Sequence, residues 1–532
     1  MEFFIALLPI LVLIVLIVGF KQSVVMSAGV ALTTLVLAGF WWGMQIDTMA
    51  AASLRGLFIA TEIILIVFSA LLIVEVIKRQ GLFRPIQKLF SQISPDYRIQ
   101  AIIIAFALVY FIEGAAGFGT PAIVVVPVLM ALGFKPVHAV ALALIGDTIP
   151  VSFGAVGLPI TFGVDSVIQG LTADASVVTD QVIKTVAYLN VLFSTLLAVV
   201  IAGVAVFLRK DTFANFLAVV PFAIVSGVIV SSIALITALF VGPELPSILG
   251  GLIGLFIVSF LAKHSLFAPK KVLALPHEDS AIGLQKEAPP QEMSSGRALW
   301  RSLYPYVLLI SLLILTRVPF FRVGEALQAI ALSTSQLLGA DITYTIAPLY
   351  SAASLLLLSA LLTLFLARSR IDSTLDSIKT VLRRTARPYA ALFLVLAFVQ
   401  IFIFSEVAGS NSAMPVVIAE VISSSAGMFW PFVVPFVGAL GSFLAGSATV
   451  SNLIFSGFQY DIALALDLSP SLLLSLQTIG ASSGNMIALH NIVAALAIAG
   501  ISEKQSHRVI RSNIVPLLIL LTTAGLLGLL LA

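Results

Sequence analysis

The sequence contains no cysteine and few charged residues. Without cysteine, disulfide bonds and thiolate chemistry are excluded. Charged residues make up only 10% of the 532 residues, whereas a soluble domain carries about 25%. The formal net charge of +3 is small and says nothing about partners. We expect no nucleic-acid partner. The scarcity of charge excludes an ordinary soluble domain.

Hydrophobic residues make up 60% of the chain, and the mean hydropathy is +1.15. Apolar stretches near the ~20 residues that a helix needs to cross a bilayer recur from end to end. Clear examples are Phe3 to Phe20, Val186 to Leu208, Leu245 to Ala262 and Ile514 to Ala532. The pattern predicts an all-α polytopic membrane protein with roughly 12 to 14 transmembrane helices.

One hydrophilic stretch divides the chain into two unequal halves. It runs from Lys263 to Arg301 and contains EAPPQEMSSGR, whose Pro, Ser and mixed charge are typical of a linker. We therefore predict an N-terminal transmembrane half at 1–262 with a first repeat, a cytoplasmic linker at 263–301, and a C-terminal transmembrane half at 302–532 with a second repeat.

A carboxylate, three glycines and a proline interrupt one of the most apolar parts of the chain, in the segment EGAAGFGTP from Glu113 to Pro121. Irregular backbone at membrane depth is tolerated only where protein or a water-filled cavity surrounds it. An ionisable residue at such a break indicates a functional site. Secondary transporters build their substrate sites from re-entrant or broken helices of this kind. The segment therefore favours a transporter.

A weak internal repeat crosses the linker. EGAAGFGTPAIVVVP, from Glu113, is similar to EVAGSNSAMPVVIAE, from Glu406. Downstream of each, GDTIPVSFGAVGLPI and GSATVSNLIFSGF can be aligned so that Ser152 matches Ser451. Similar breaks in two halves are a sequence indication of a transport site. We expect the two regions to converge near the bilayer midplane, with both serines facing one shared cavity.

Five ordered motifs also carry a family resemblance. They are EGAAGFGTP, PVSFGAVGLPI, VGPELP, GSATVSNLIFSGFQ and ASSGNMIALHNIVAALAIAGISEK. They resemble the bacterial L-lactate permease family of lactate and glycolate permeases, within the broader ion transporter superfamily, and the resemblance covers essentially the whole chain. It implies a proton-linked importer of lactate, glycolate or a related 2-hydroxy monocarboxylate in the bacterial plasma (inner) membrane, working as a homodimer without a cofactor.

Two positions differ from the pattern of the best-known members of that family. Those members have Asp where this chain has Ala448, and a Lys near the position of Asn485. With Ala448 in place of an Asp and Asn485 in place of a Lys, one negative and one positive charge are both missing, so the local net charge is the same. The two differences bear on which substrate is bound and which residues couple its transport.

Neutral donors are concentrated in the motifs, where no buried Arg or Lys is evident. A carboxylate bound there would meet the backbone N–H groups and the positive dipole ends of broken helices, which suits one carboxylate better than two. We expect no metal site. The candidate substrate-binding residues are Gly117, Thr120, Ser152, Gly154, Ser447, Thr449, Ser451, Asn452, Ser482, Ser483 and Asn485. For any single one, the alternative is a role in close helix packing.

Three acids and one histidine are candidates for proton coupling: Glu113, Asp147, Glu406 and His490. A coupling group must bind and release a proton near physiological pH, which burial of a carboxyl group favours and which histidine does by nature. The alternatives are an acid that caps a broken helix and a hydrogen-bonded structural histidine. We favour Glu113 and Asp147, with Glu406 as the counterpart in the second half.

Other functional classes fit the sequence less well. A channel would repeat a short filter in many copies, and an enzyme would need a cluster such as HExxH; neither is present, nor is a P-loop. GASSG, at 480–484, matches GxSxG formally, but it lies between apolar helical stretches rather than on a strand-to-helix turn. The prediction is a secondary transporter and not an enzyme. The alternative is a sodium-coupled importer of another small organic anion, because Ser, Thr and Asn clusters with unwound carbonyls can coordinate Na⁺.

Overall fold

The chain is almost entirely helical in the part that the structure describes. The computed structural model describes residues 2–16, 20, 22, 24–79, 93–117, 119–274, 304, 307–316, 321–334, 336–366, 371–407, 412–418, 421, 427–502 and 505–532. In the first half the helices are α1 (Glu2–Ile14), α2 (Val24–Trp42), α3 (Ile46–Arg79), α4 (Tyr97–Ala116), α5 (Thr120–Ala131), α6 (Pro136–Gly146), α7 (Gly154–Thr161), α8 (Asp165–Ile168), α9 (Ala175–Phe207), α10 (Phe213–Phe240) and α11 (Pro246–Lys263).

The second half continues in the same manner. Its helices are α12 (Val307–Thr316), α13 (Val323–Gln328), α14 (Ala352–Leu366), α15 (Ile371–Ile403), α16 (Trp430–Ala445), α17 (Ala448–Ala465), α18 (Pro470–Gly484), α19 (Leu489–Ile498) and α20 (Ser506–Leu531). Short 3₁₀ turns lie at Ile149–Phe153, Gly427–Phe429 and Asn485–Ile487. Strands β1 (Leu332–Thr334) and β2 (Tyr344–Ile346) form a small antiparallel hairpin, with Ser333 opposite Thr345.

Nine helical segments within the described ranges are long and apolar enough to cross a bilayer. Several shorter apolar helices accompany them, including α5 and α6. The predicted all-α polytopic membrane protein is therefore confirmed. The expected total of roughly 12 to 14 crossings stays a prediction.

The helices pack into two groups that do not follow the two halves of the sequence. The first bundle consists of α1, α2, α3, α14 and α15. The second bundle consists of α4 to α11 together with α16 to α20. The two bundles touch at a small number of places, chiefly where α15 meets α17 and where α3 meets α4 and α7. Each bundle therefore draws on both sides of the predicted linker, which from residue 275 to 301 falls outside the described ranges.

α4 is the central helix of the second bundle, and all of its residues are buried. It carries a π-helical stretch at Ile103–Leu108, a local widening that often marks functional sites. Gly146, the last residue of α6, packs directly against the carbonyl group of Ala105 and leaves no room for a side chain. This close approach brings the end of α6 beside α4.

Candidate functional site

Glycines end two of the buried helices at equivalent points. α4 stops before Gly117 and α16 stops before Gly446, with φ angles of 57° and 64°. This left-handed conformation strains residues that carry a Cβ atom, so glycine lets each helix end in the apolar interior. Gly119, with a φ of 74°, then precedes α5. Ser447 caps α17 by accepting a hydrogen bond from the Val450 N–H group at 3.4 Å.

A third break follows α6, around the 3₁₀ turn at Ile149–Phe153. Ala155, Val156 and Gly157 have consecutive positive φ angles of 44°, 60° and 78°. Positive φ is a genuine outlier for a β-branched residue, and strain of this kind costs about 1–3 kcal/mol per residue. Gly157 packs against the carbonyl group of Pro243 without room for a side chain. Strained backbone of this kind concentrates at functional sites.

The positions of the breaks identify the two structural repeats. α16, α17 and α18 follow one another in the same manner as α4, α5 and α6. In each set the first helix ends at a glycine, the third begins at a proline (Pro136 or Pro470) and an irregular segment follows the third. This order pairs α4 with α16, whereas the alignment expected from the sequence paired Glu113 with Glu406. The Glu406 side chain is exposed in the segment after α15.

Breaks from both repeats meet at one cavity of about 30 Å³. Since ~10–15 Å³ suffices for one water, the cavity has room for about two. It is lined by Glu113, Gly119, Val151, Gly154, Ala155, Pro159, Gly446, Ser447, Ala448, Thr449, Asn485 and Asn491. Residues from both halves therefore line one cavity, whereas its expected place near the bilayer midplane stays a prediction.

Two buried carboxyl groups lie side by side at this cavity. Glu113 is 4% exposed and Asp147, the residue that ends α6, is 1% exposed. The two carboxyl groups are near enough to interact with each other. Glu113 Oε2 and Asp147 Oδ1 have no N–H or O–H donor within the described ranges, and no cationic side chain there forms an ion pair with either acid. Two neighbouring carboxylates without a cation cannot both be readily ionised.

Two asparagines form a chain of hydrogen bonds that ends at Asp147 of this pair. Asn485 Nδ2 donates to the main-chain carbonyl oxygen of Asp147 at 3.2 Å and to Asp147 Oδ2 at 3.3 Å. Asn491 Nδ2 donates to Asn485 Oδ1 at 2.7 Å. The sequence predicted Asn485 as a substrate donor but not Asn491. Asn491 could have been recognised as a candidate because it is an amide within the apolar helix α19, less than two turns after a break.

Four of the predicted substrate residues line the cavity, namely Gly154, Ser447, Thr449 and Asn485. Gly154 is close to Glu113, because a Cβ atom at Gly154 would overlap with the Glu113 carboxyl group. Thr449 is buried in the first turn of α17, and its hydroxyl group makes no hydrogen bond within the described part of the chain. That hydroxyl is available to a ligand.

The other predicted substrate residues are not among those that line the cavity. Ser152 and Ser451, expected to face the cavity, do not line it: the Ser152 hydroxyl lies 3.1 Å from that of Ser482, and Ser451 Oγ donates to the Gly438 carbonyl oxygen at 2.8 Å. Ser483 donates to a carbonyl group of its own helix. Gly117 and Thr120 belong to the first break and also do not line the cavity.

Asn452 joins the two repeats. Its Nδ2 atom donates to the Pro159 carbonyl oxygen at 2.9 Å and to Thr478 Oγ1 at 3.1 Å. One turn further along α17, Ser456 Oγ donates to the Gly163 carbonyl oxygen at 3.2 Å. These carbonyl groups lie in and after the strained segment, where helical partners are lost. The bonds tie the third break to α17, so the breaks of both repeats form one connected unit.

Ala448 and Asn485, the two positions that the resemblance set apart in the sequence, both line the cavity. Ala448 is buried and packs with Val151 and Ala481 in a small apolar cluster. Asn485 lies on the wall beside Asp147. His490 follows in α19, and its side chain lies outside the described part of the structure. No group of three or more His, Asp or Glu side chains suitable for a metal ion occurs within the described ranges.

Arg55, a residue that the sequence analysis did not single out, is the buried cation between the bundles. It lies in α3 and is 5% exposed. Its guanidinium group donates to the Thr343 carbonyl oxygen at 3.1 Å, to the Gln400 side chain, and to the Ser166 carbonyl oxygen at 3.3 Å. Ser166 lies in α8 of the second bundle, so Arg55 bridges the two bundles.

Comparisons with known proteins agree with this architecture. A family model described as L-lactate permease matches residues 2–532. The glycolate permease GlcA of Escherichia coli strain K12 is 28% identical, and the alignment covers 94% of this chain and 91% of that protein. The L-lactate permease of Bacillus subtilis strain 168 is 27% identical over 83% of this chain and 80% of its own.

A solved structure, that of the YdaH transporter of Alcanivorax borkumensis, is 16% identical, with alignment over 75% of this chain and 89% of that one. The TM-score of 0.31 is too low to support an argument from it.

Proposed function

The chain belongs to the L-lactate permease family, and from this we propose that it is a secondary transporter that imports a small monocarboxylate by proton symport. Lactate and glycolate are the first candidate substrates, since relatives carry those names, followed by related 2-hydroxy acids. We place it in the bacterial plasma (inner) membrane as a homodimer. Its transmembrane halves would be 1–262 and 302–532, joined by a cytoplasmic linker at 263–301.

The observation that carries the proposal is the pairing of a helix N-terminus with a buried acid at one cavity. Gly446, Ser447, Ala448 and Thr449, at the start of α17, form one part of the wall. The first N–H groups of a helix lack intrahelical partners, and the helix dipole favours an anion there. Thr449 adds a hydroxyl donor. None of the described residues that line the cavity is Arg or Lys, so the cavity suits a single carboxylate better than two.

Glu113 supports the coupling to protons. A substrate carboxylate in a cavity this small lies near the Glu113 carboxyl group, where two negative charges repel each other. A proton on Glu113 removes the repulsion and makes the acid a hydrogen-bond donor to the substrate. Substrate and proton then favour each other's binding, which is the requirement for symport.

The two bundles support a mechanism of alternating access. A cavity with room for about two waters is smaller than a monocarboxylate, so binding requires the walls to move apart. The breaks of both repeats are joined through Asn452 and Ser456, and all lie in the second bundle. We propose that the second bundle moves as a block along the first, at the limited contacts that α3 and α15 make with it.

Uptake by a transport-deficient bacterial strain tests the substrate class. Radiolabelled L-lactate is offered with an excess of unlabelled lactate, glycolate, succinate or citrate. We expect lactate and glycolate to compete and the di- and tricarboxylates to be ineffective. Competition by succinate or citrate without competition by lactate would refute the assignment.

A second experiment tests the coupling ion. We expect collapse of the proton gradient to abolish accumulation, and removal of sodium to leave it unchanged. The opposite pattern would support the sodium-coupled alternative, for which the carboxyl pair and the hydroxyls of Ser447 and Thr449 offer oxygen ligands.

A further inference from the structure

The two carboxyl groups of the buried pair have different surroundings. Asp147 receives the Asn485 amide at both its main-chain carbonyl oxygen and its Oδ2 atom. Glu113 receives no N–H donor from the described residues, and its Oε2 atom is unpartnered. The two acids therefore differ in how well each can hold a negative charge.

The orientation of the Asn485 amide follows from chemistry. A main-chain carbonyl oxygen can only accept a hydrogen bond, so the Asn485 group that faces the Asp147 carbonyl must be its NH₂. The Asn485 Oδ1 atom then faces Asn491, which donates to it at 2.7 Å. The resulting chain has one direction, from Asn491 through Asn485 to Asp147. The chain ends at the Asn485 NH₂ group, which donates a hydrogen bond to Asp147. The Asp147 oxygen that receives this bond is therefore an acceptor.

We infer that Asn485, oriented by Asn491, is a positioning residue that stabilises ionised Asp147 and so keeps the transported proton on Glu113, the acid at the cavity wall. A hydrogen bond to the charged form of an acid favours that form. The inference rests on the proposed function, because it concerns the proton that the symport would carry. In the transport step, a proton from water forms an O–H bond with Glu113 as the substrate binds. That bond breaks and the proton returns to water when the substrate leaves.

The surroundings of the pair contain no other charged group in contact with it within the described part of the chain. Elements packed against the pair also carry titratable side chains, none of which forms a hydrogen bond or an ion pair with either carboxyl group. These are Asp47, Arg55, Glu62 and Glu75 on α3, Tyr97, Arg98 and Tyr110 on α4 itself, His138 on α6, Asp180, Lys184 and Tyr188 on α9, Lys263 on α11, and His507, Arg508 and Arg511 on α20. α19, which packs against α6, carries His490, whose side chain is outside the described part.

The test is the pH dependence of exchange in proteoliposomes. Radiolabelled L-lactate inside is exchanged for unlabelled lactate outside at equal pH on both sides, so that no gradient drives the flux. Exchange requires the protonated carrier and therefore declines as the pH rises through a midpoint. Asn485→Leu removes the donor that stabilises the ionised pair, so the pair holds its proton more tightly. We expect the midpoint to move to higher pH by about one unit, the scale of a lost hydrogen bond to a charged group.

Two further variants separate this effect from misfolding. Asn485→Asp keeps the shape and replaces the amide donor by a third acid, so we expect a midpoint shift in the same direction. Asn491→Leu releases the Asn485 amide from its fixed orientation and should shift the midpoint by less. The matched control is Asn513→Leu, because Asn513 is buried nearby and donates to the Met486 carbonyl oxygen at 2.8 Å without touching the pair. It should leave the midpoint unchanged.

The outcomes distinguish the inference from the proposed function. If wild-type exchange depends on pH and the midpoint of Asn485→Asp equals that of the wild type, the positioning role is wrong while proton symport stands. A shift of equal size in Asn513→Leu would also overturn it, because the effect would then be general. If wild-type exchange shows no dependence on pH, the proposed proton symport itself fails.

Discussion

Replacing Glu113 by glutamine separates substrate binding from proton coupling. The side chain is 4% exposed, lines the cavity and lies beside Asp147. Glutamine has the same shape and cannot titrate. Its NH₂ group can also donate a hydrogen bond to the neighbouring carboxylate, so the packing of the second bundle should survive. The variant therefore imitates a carrier that is permanently protonated at this position.

The size of the effect follows from the expected distance between the two carboxyl groups. A substrate carboxylate bound between Glu113 and the start of α17, which line the same cavity, should lie roughly 4–6 Å from the Glu113 carboxyl group, where two unit charges repel by about 3–4 kcal/mol at an effective dielectric constant near 20. This corresponds to two to three powers of ten in affinity. The wild type should therefore lose lactate affinity as the pH rises, whereas Glu113→Gln should keep it. In alkaline buffer the variant should bind lactate about 100-fold more tightly than the wild type.

Two measurements on purified protein check this prediction. Binding of labelled lactate is measured at several pH values, and gradient-driven accumulation is measured in proteoliposomes. Glu113→Gln should bind and exchange lactate independently of pH but fail to concentrate it. Glu62→Gln is the matched control, because Glu62 is a partly buried acid in the first bundle, bonded to Tyr344 and away from the cavity lining. If Glu113→Gln still concentrates lactate with the pH dependence of the wild type, the coupling group lies elsewhere.

Three other changes give distinct outcomes. Thr449→Val removes a cavity hydroxyl while keeping the volume, and should raise the KM for lactate about tenfold, the scale of one hydrogen bond to a charged ligand; an unchanged KM would remove Thr449 from the binding site. Gly154→Ala places a methyl group against the Glu113 carboxyl group. It should lower the free energy of unfolding by about 1–3 kcal/mol and also reduce transport. The control is Gly29→Ala, where a Cβ atom would meet its nearest neighbour at 3.9 Å, and it should change neither quantity. Arg55→Gln weakens the bridge between the bundles and should speed the labelling of an Ala448→Cys variant by a thiol reagent. The assay has no background because the chain contains no cysteine. Slower or equal labelling would argue against a bridging role.

The sequence was sufficient to identify the class of protein and the places where its helices break. Hydropathy is a local property, and a run of apolar residues long enough to span a bilayer can hardly be anything else. Glycine is similarly local in its effect, since Gly117 and Gly446 take the positive φ angles that end α4 and α16. Glu113 could also be singled out as a candidate, because an ionisable residue beside such a break indicates a functional site, and the structure places it on the cavity wall.

The sequence could not predict which polar residues share the cavity. Thr449 and Ser451 are two positions apart on α17, so their side chains point about 160° apart around the helix axis. Thr449 lines the cavity, whereas Ser451 donates to Gly438 on α16. Both residues are buried. Because protein surrounds this helix on all sides, its sequence has no polar face from which the side toward the cavity could be recognised.

The tertiary structure alone decided the partners of the acids and the division into bundles. Glu113 meets Asp147, which is held by Asn485 from the other half of the chain, and Arg55 meets Ser166 across the contact between the bundles. These contacts join residues that lie tens to hundreds of positions apart, and they depend on where each helix stops and how it packs. The sequence alone determined that this chain crosses the membrane through broken helices, because apolar length and glycine act locally. The packing of those helices decided which acid faces the cavity and which amide faces the acid, because such partners are chosen by distance in space.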